Sequence, residues 1–114
     1  MIRHAFTMKL RPGALAEYRR LHDNLWPDLF AAIEESGVAT MTIFEADPYL
    51  FLYSEIRDPA RWEELRNSDV HRRWGDALRP LFVLKEDGSV DIGDLREIFH
   101  IDTAANDSDG ADSG

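Results

Sequence analysis

The feature that most constrains this chain is the order in which its hydrophobic periodicity changes. Residues 2–10 alternate apolar and polar side chains with a period of two, which is typical of a half-buried β-strand. Between residues 15 and 33 the apolar residues recur at spacings of three and four, which predicts helix, and Pro27 predicts a break within it. Residues 38–45 and 49–56 are rich in β-branched and aromatic side chains on either side of a proline turn, so we expect a hairpin.

The second half of the chain returns to a helical period and ends in a strand-like segment. The Asp-Pro pair at 58–59 predicts an N-cap followed by the first helical position. The helical stripe at 62–81 is interrupted by capping residues at 67–69, so we expect two short helices, and residues 95–101 predict a last strand. The order β-α-β-β-α-β predicts an α+β, ferredoxin-like subunit, with one antiparallel sheet and the helices on one of its faces.

This arrangement leaves the second face of the sheet without helices. Six apolar strand residues cannot all face water comfortably, whichever way each strand points: Ala5, Met41, Ile43, Phe51, Tyr53 and Ile98. A chain of 114 residues forms one domain with a modest core. We therefore expect a homodimer that buries one sheet against the other.

Composition and charge exclude several classes of protein. The chain has no cysteine, which excludes disulfide scaffolds, thiolate metal sites and cysteine nucleophiles. With 13 basic and 22 acidic residues its formal charge is −9, which disfavours nucleic acid as a partner. No apolar run approaches the ~20 residues that span a membrane, and the N-terminus lacks the apolar segment of a signal peptide. We expect a cytoplasmic protein without a membrane partner, with one domain at 1–101 and an acidic disordered tail at 102–114.

Tyr18 and His22 are the residues that most suggest chemistry. They lie four apart on the apolar stripe of the first helix, so their side chains meet on the face turned to the sheet. One interpretation is a core histidine satisfied by a backbone carbonyl. The other is a cleft between helix and sheet in which His22 donates and accepts protons.

The remaining histidines and the tryptophans are less specific. Metal binding by His4, His22 and His100 is conceivable, but their spacing matches no ligand motif. His71 follows a polar capping segment and is predicted to be solvated. The tryptophans have helical spacing typical of core residues, although one of them could stack on a sugar ring: Trp26, Trp62 and Trp74. With no phosphate loop and no nucleophile elbow, the residues permit acid–base chemistry on a small uncharged substrate.

Four segments together resemble the L-rhamnose mutarotase family, in order and over roughly residues 1–101. They are MIRHAFTMKL at the start, EYRRLHDNLWPDL at 17–29, SDVHRRW at 68–74 and LREIFHI at 95–101. The most specific part is the pattern Y-x-x-x-H-x-x-x-W-P, which begins at Tyr18 and includes His22. The resemblance implies a dimeric α/β barrel of ferredoxin-like subunits that interconverts the α and β anomers of L-rhamnose without a cofactor or metal. It also implies that His22 is the proton donor, and that Tyr18 and Trp74 bind the sugar.

Two positions depart from the family pattern. The family commonly has a sugar-contacting tyrosine in the second strand, where this chain has Met41, and two adjacent tryptophans on the second helix, where Gly75 follows Trp74. A site that hydrogen-bonds a hydroxyl discriminates strongly, so these losses bear on sugar preference more than on proton transfer. Tyr53 on the neighbouring strand is a candidate replacement for the phenol. L-fucose and other 6-deoxy sugars therefore remain possible substrates beside L-rhamnose.

Two other functions fit the same fold. Cofactor-free monooxygenases use the dimeric α/β barrel, and fold alone does not decide chemistry. A small-molecule-binding dimer without turnover is the third possibility. Oxygen uptake would indicate a monooxygenase, and saturable sugar binding without faster anomer exchange would indicate a binding dimer.

Overall fold

A computed structural model describes residues 1–103 and places a four-stranded sheet beside four α-helices. The elements are β1 (Ile2–Lys9), α1 (Leu15–Asp23), α2 (Pro27–Glu35), β2 (Val38–Ala46), β3 (Tyr49–Ile56), α3 (Pro59–Arg66), α4 (Asp69–Leu78), a 3₁₀ turn (Arg79–Leu81) and β4 (Gly93–Leu95). The strand order is β2-β3-β1-β4, and each neighbouring pair is antiparallel. This confirms the predicted α+β, ferredoxin-like subunit.

The helix boundaries follow local sequence signals. Pro27 occupies the first turn of α2, which begins after a break in the helical segment, as predicted. Asp58 caps α3 by accepting a hydrogen bond from the Ala60 N–H at 3.0 Å, and Ser68 caps α4. After α2 the chain reverses at Gly37, whose φ of 86° lies in the left-handed region that favours glycine.

The prediction of a last strand at 95–101 is wrong in position and length. β4 covers only Gly93–Leu95, and residues 96–101 continue without regular secondary structure. A Cβ at Gly93 would lie 3.1 Å from the Thr7 Cγ2 atom, a tight contact that a glycine avoids where this segment approaches β1. Of the tail predicted at 102–114, Asp102 and Thr103 are exposed, and the rest lies outside the described residues.

The two faces of the sheet differ in what covers them. We call the face under the helices the inner face; it carries His4, Phe6 and Met8 of β1 and packs against the buried core around Leu10 and Leu29. The opposite, outer face has no helix among the described residues. Apolar side chains are exposed on it, with Phe44 at 61% and Phe51 at 37%.

The six apolar strand residues that cannot share one water-facing surface are divided between the faces. Met41 and Ile43 lie on the inner face, because they pair with Ser54 and Leu52 of β3. Ala5, Phe51 and Tyr53 lie on the outer face, and Ile98 follows β4 with its side chain exposed. The outer face thus retains part of the apolar surface for which we expect a partner. Within residues 1–103, no helix has the length and apolar character to cross a membrane.

Candidate active site

A cavity of about 1150 Å³ lies between the helices and the inner face of the sheet. Five of the six predicted site residues line it: Tyr18, His22, Met41, Trp74 and Gly75. They come from α1, β2 and α4, so the fold brings together positions far apart in the sequence. The volume accommodates a monosaccharide with room to spare.

Tyr18 and His22 stand one helical turn apart and contact each other, as their spacing predicts. Their ring centroids are 4.2 Å apart, and Tyr18 is almost completely buried. The His22 Nδ1 lies 2.8 Å from the Tyr18 carbonyl oxygen. Because a carbonyl oxygen only accepts, Nδ1 carries the proton of this hydrogen bond, and Nε2 is the nitrogen available for proton exchange. Burial raises the pKa of the Tyr18 phenol, which keeps the phenol protonated.

Trp74 forms an aromatic wall beside His22. Its ring centroid lies 5.2 Å from that of His22 in an edge-on arrangement and 5.1 Å from that of Trp26. Trp74 is buried on α4, while Trp26 is the residue just before Pro27 at the start of α2. The Trp26–Trp74 contact therefore fixes the indole that faces the cavity.

Gly75 and Met41, the two positions at which the sequence departs from the pattern it resembles, contribute no aromatic ring and no strong hydrogen-bonding group to the cavity. A Cβ at Gly75 would meet no atom within 4 Å, so this side of the cavity is open. Met41 lines the cavity with a thioether in place of a phenol, and a thioether is only a weak hydrogen-bond acceptor. Both positions therefore lie on the wall of the cavity.

The expectation that Tyr53 replaces the missing phenol is contradicted by the structure. Tyr53 pairs with Ala5 and Thr42, and its side chain lies on the outer face of the sheet. Its hydroxyl donates to Glu55 Oε2 at 2.8 Å. Since successive strand residues point to opposite faces, it is the neighbours of Tyr53 that point toward the cavity.

The histidines do not form a metal site in the part of the chain that the structure describes. His4 and His22 line the cavity, and His4 also lines a second depression at the β4 edge, where Tyr53 and His100 lie. Among residues 1–103 no group of three or more His, Cys, Asp or Glu side chains has the geometry to hold a metal ion. His71, predicted to be solvated, is partly buried instead and lines the same cavity. Burial, followed by the charge of Arg66, lowers its pKa.

Sequence reasoning missed two features that shape the site. Phe82 packs edge-on against Tyr18, with ring centroids 5.9 Å apart, and it reaches that position through a bridge to Leu10. Arg73 bonds Asp28 at 3.0 Å and lies 5.5 Å from the Trp26 ring centroid, which ties α4 to α2. Both depend on contacts between residues more than forty positions apart, for which the sequence alone has no local signal.

The fold and the cavity define a ferredoxin-like α+β protein with the imidazole of His22 in an aromatic-walled cavity. A family model described as L-rhamnose mutarotase matches residues 3–101. The chain belongs to the L-rhamnose mutarotase family, and it is an isomerase that interconverts the anomers of L-rhamnose.

Individual relatives and solved structures agree with this family. The L-rhamnose mutarotase of Klebsiella pneumoniae is 34% identical over 103 residues, which cover 89% of this chain and 99% of that protein. The L-rhamnose mutarotase of Bacillus subtilis is 33% identical over 104 residues, which cover 90% of this chain and 100% of that protein. The crystal structure of an L-rhamnose mutarotase from Formosa agariphila matches with a TM-score of 0.78 and 28% identity, over 90% of this chain and 100% of that one. A putative antibiotic biosynthesis monooxygenase from Deinococcus radiodurans has a TM-score of 0.63 at 15% identity, over 90% of this chain and 97% of that one, a likeness of fold alone.

Proposed function

We propose that the cavity bounded by Tyr18, His22 and Trp74 is the active site, and that His22 is its proton donor. The observation that carries this proposal is the hydrogen bond from His22 Nδ1 to the Tyr18 carbonyl. It commits one ring nitrogen to the helix and leaves Nε2 to exchange a proton with a substrate in the cavity.

Mutarotation requires only proton transfers and a bond rotation. The Nε2 proton of the His22 imidazolium moves to the ring oxygen, while the anomeric hydroxyl gives its proton to a base. The bond between C1 and the ring oxygen breaks, and C1 becomes an aldehyde carbon. After rotation about C1–C2 the hydroxyl formed from the ring oxygen attacks C1 again, its proton returns to Nε2, and the base returns the anomeric proton to the aldehyde oxygen. Protons balance over the cycle, so we expect no cofactor and no metal.

Tyr18 and Trp74 supply the surfaces that hold the sugar. An indole packs on the apolar side of a pyranose ring, and the contact with Trp26 holds Trp74 in place for this. A protonated Tyr18 phenol donates a hydrogen bond to a sugar hydroxyl. Met41 and Gly75 line the same cavity but contribute neither a phenol nor an indole, so we propose that they influence which 6-deoxy sugar is preferred.

Exchange spectroscopy on the anomeric protons of L-rhamnose tests the role of His22. His22→Ala is expected to lose about 10²–10⁴-fold of the enzymatic exchange rate, because positioned proton transfer typically contributes that much. His100→Ala, the matched control outside the cavity, should exchange like the wild type. Full activity in His22→Ala would refute the assignment of the proton donor.

We also propose that the protein is a homodimer formed through the outer face of the sheet. Phe44 and Phe51 are paired across β2 and β3 on that face, and both are exposed in the single subunit. Neighbouring apolar side chains, Tyr49 and Leu95, enlarge the patch. A cytoplasmic location stays a prediction from the sequence.

A further inference from the structure

Two buried polar atoms on the inner face of the sheet have no hydrogen-bond partner. They are Nδ1 of His4 and Oγ of Ser54, and Ser54 is completely buried. Buried polar groups are satisfied in the great majority of cases, so each such atom calls for a physical reason. Neither residue is accounted for by the roles of Tyr18, His22 and Trp74.

The two atoms belong to directly paired residues, and Met41 is paired with the same serine. His4 of β1 pairs with Ser54 of β3, which in turn pairs with Met41 of β2. The three side chains therefore form one row across the inner face, with adjacent strands roughly 4.8 Å apart. His4 and Met41, at the two ends of the row, both line the cavity.

The chemistry of the row is incomplete without a ligand. The Met41 thioether cannot donate a hydrogen bond, and the aromatic and aliphatic neighbours of His4 on β1 and β3, Phe6 and Leu52, have no polar side-chain atoms. Paired residues have Cβ atoms roughly 5 Å apart, so Ser54 Oγ and His4 Nδ1 belong to side chains that are close enough to bond through a rotamer change. That hydrogen bond would fix the His4 tautomer and turn its other ring nitrogen to a ligand in the cavity.

We propose that His4 is a second sugar-binding histidine, which hydrogen-bonds one hydroxyl of the bound sugar through Nε2, with Ser54 as the positioning residue that holds Nδ1. The inference rests on the proposed function, because it takes the cavity to be the sugar site. It assigns to this row the polar contact that Met41 cannot make. The ligand class is a monosaccharide with a hydroxyl facing β1.

Sugar titrations of two His4 variants test the contact. His4→Leu should weaken L-rhamnose binding about five- to tenfold, the amount typical of one lost neutral hydrogen bond, and His4→Gln should recover most of it. The matched control His100→Leu should bind like the wild type. Unchanged affinity in His4→Leu would overturn the proposal.

Deoxygenated sugars identify the hydroxyl and separate binding from folding. Monodeoxy analogues of L-rhamnose at C2, C3 and C4 should each lose affinity for the wild type, but one of them should bind His4→Leu and the wild type equally. If His4→Leu does not fold, the wild-type His4 ring resonances provide the test: they should shift with L-rhamnose and not with that one analogue. The contact would be contradicted if His4→Leu lost the same affinity for every analogue. It would also be contradicted if the His4 ring resonances shifted with all of the analogues or with no sugar at all.

Ser54→Ala tests the positioning role. We expect sugar affinity to fall about two- to threefold, while the unfolding midpoint in urea stays unchanged or rises, because the Oγ atom has no partner to lose. A purely structural serine would instead lower the midpoint and leave affinity unchanged. These outcomes are independent of the proton donor: full exchange activity in His22→Ala refutes the proposed role of His22, whereas normal binding in His4→Leu refutes only this inference.

Discussion

At the scale of the residue, the ring of His22 is oriented by the helix that carries it. Its Nδ1 bonds the carbonyl of Tyr18, four positions earlier, so the local backbone sets the tautomer. Trp74 then closes one side of the ring, at 5.2 Å between centroids. Proton exchange through Nε2 therefore needs no residue outside α1 to orient the imidazole.

Gly75 offers a direct test of how the open side of the cavity affects sugar binding. Gly75→Trp should increase L-rhamnose affinity several-fold, because no atom lies within 4 Å of the Cβ position and an indole there adds a stacking surface. Gly75→Ala should raise the free energy of unfolding by about 0.5–1 kcal/mol through helix propensity alone, with unchanged affinity. Sugar titration and urea unfolding of both variants separate the two effects. A Gly75→Ala variant that gains as much affinity as Gly75→Trp would show that stacking is not involved.

Residue spacing predicted part of the site and could not predict the rest. Tyr18 and His22 were found because a separation of four residues places two side chains together on any helix. Tyr53 was misassigned, because strand register decides which of two opposite faces a side chain reaches. The pairing of His4 with Ser54 depends on the same register, so it is visible only in the folded sheet.

At the scale of the element, helix ends were predicted well and the last strand was not. Pro27, Asp58 and Ser68 act on their own helices through fixed backbone angles or cap hydrogen bonds, so their effects can be read locally. The position of β4 depends on which residues pair with the edge of β1, and Gly93 lies opposite Thr7 with room for no more than a tight Cβ contact. The apolar pattern at 95–101 therefore does not mark the strand.

His71 on α4 predicts a pH dependence of stability. Burial and the nearby Arg66 hold its pKa below the ordinary histidine value of 6.5, so the unfolded chain binds a proton more readily than the folded one. The stability associated with a neutral His71 is fully present above pH 6.5 and is lost as pH falls below that value toward the folded pKa.

Urea unfolding between pH 5 and 8 measures this effect. Relative to the wild type, His71→Gln should lose less stability over the acidic part of this range. The loss of stability in Arg66→Gln should be intermediate between those of the wild type and His71→Gln. His100→Gln, at an exposed histidine, is the control and should keep the wild-type profile. A His71→Gln profile parallel to that of the wild type would contradict the buried, neutral imidazole.

At the scale of the whole molecule, the two faces of the sheet have different tasks. The inner face forms the floor of the cavity, while the outer face carries the exposed patch of Phe44, Tyr49, Phe51 and Leu95. A domain of this size gains stability by covering such a surface with a second copy of itself.

The dimer is tested by a charge placed in the middle of the outer face. Phe51→Glu is expected to convert the dimer to monomer in sedimentation velocity, because a carboxylate facing its symmetry mate would be buried without a partner. Phe30→Glu, at an exposed phenylalanine on α2, should keep the oligomeric state of the wild type. A wild-type protein that sediments as a monomer would rule out this interface.

Anomer exchange of L-rhamnose by the wild-type protein tests the central claim most directly. Two-dimensional exchange spectroscopy should give cross-peaks between the α and β anomeric protons that grow with protein concentration, while the equilibrium ratio of the anomers stays constant. L-Fucose, L-lyxose and D-ribose measured alongside rank the sugar preference that Met41 and Gly75 influence. Saturable binding of L-rhamnose with no faster exchange, or oxygen uptake with an aromatic substrate in place of exchange, would contradict the account.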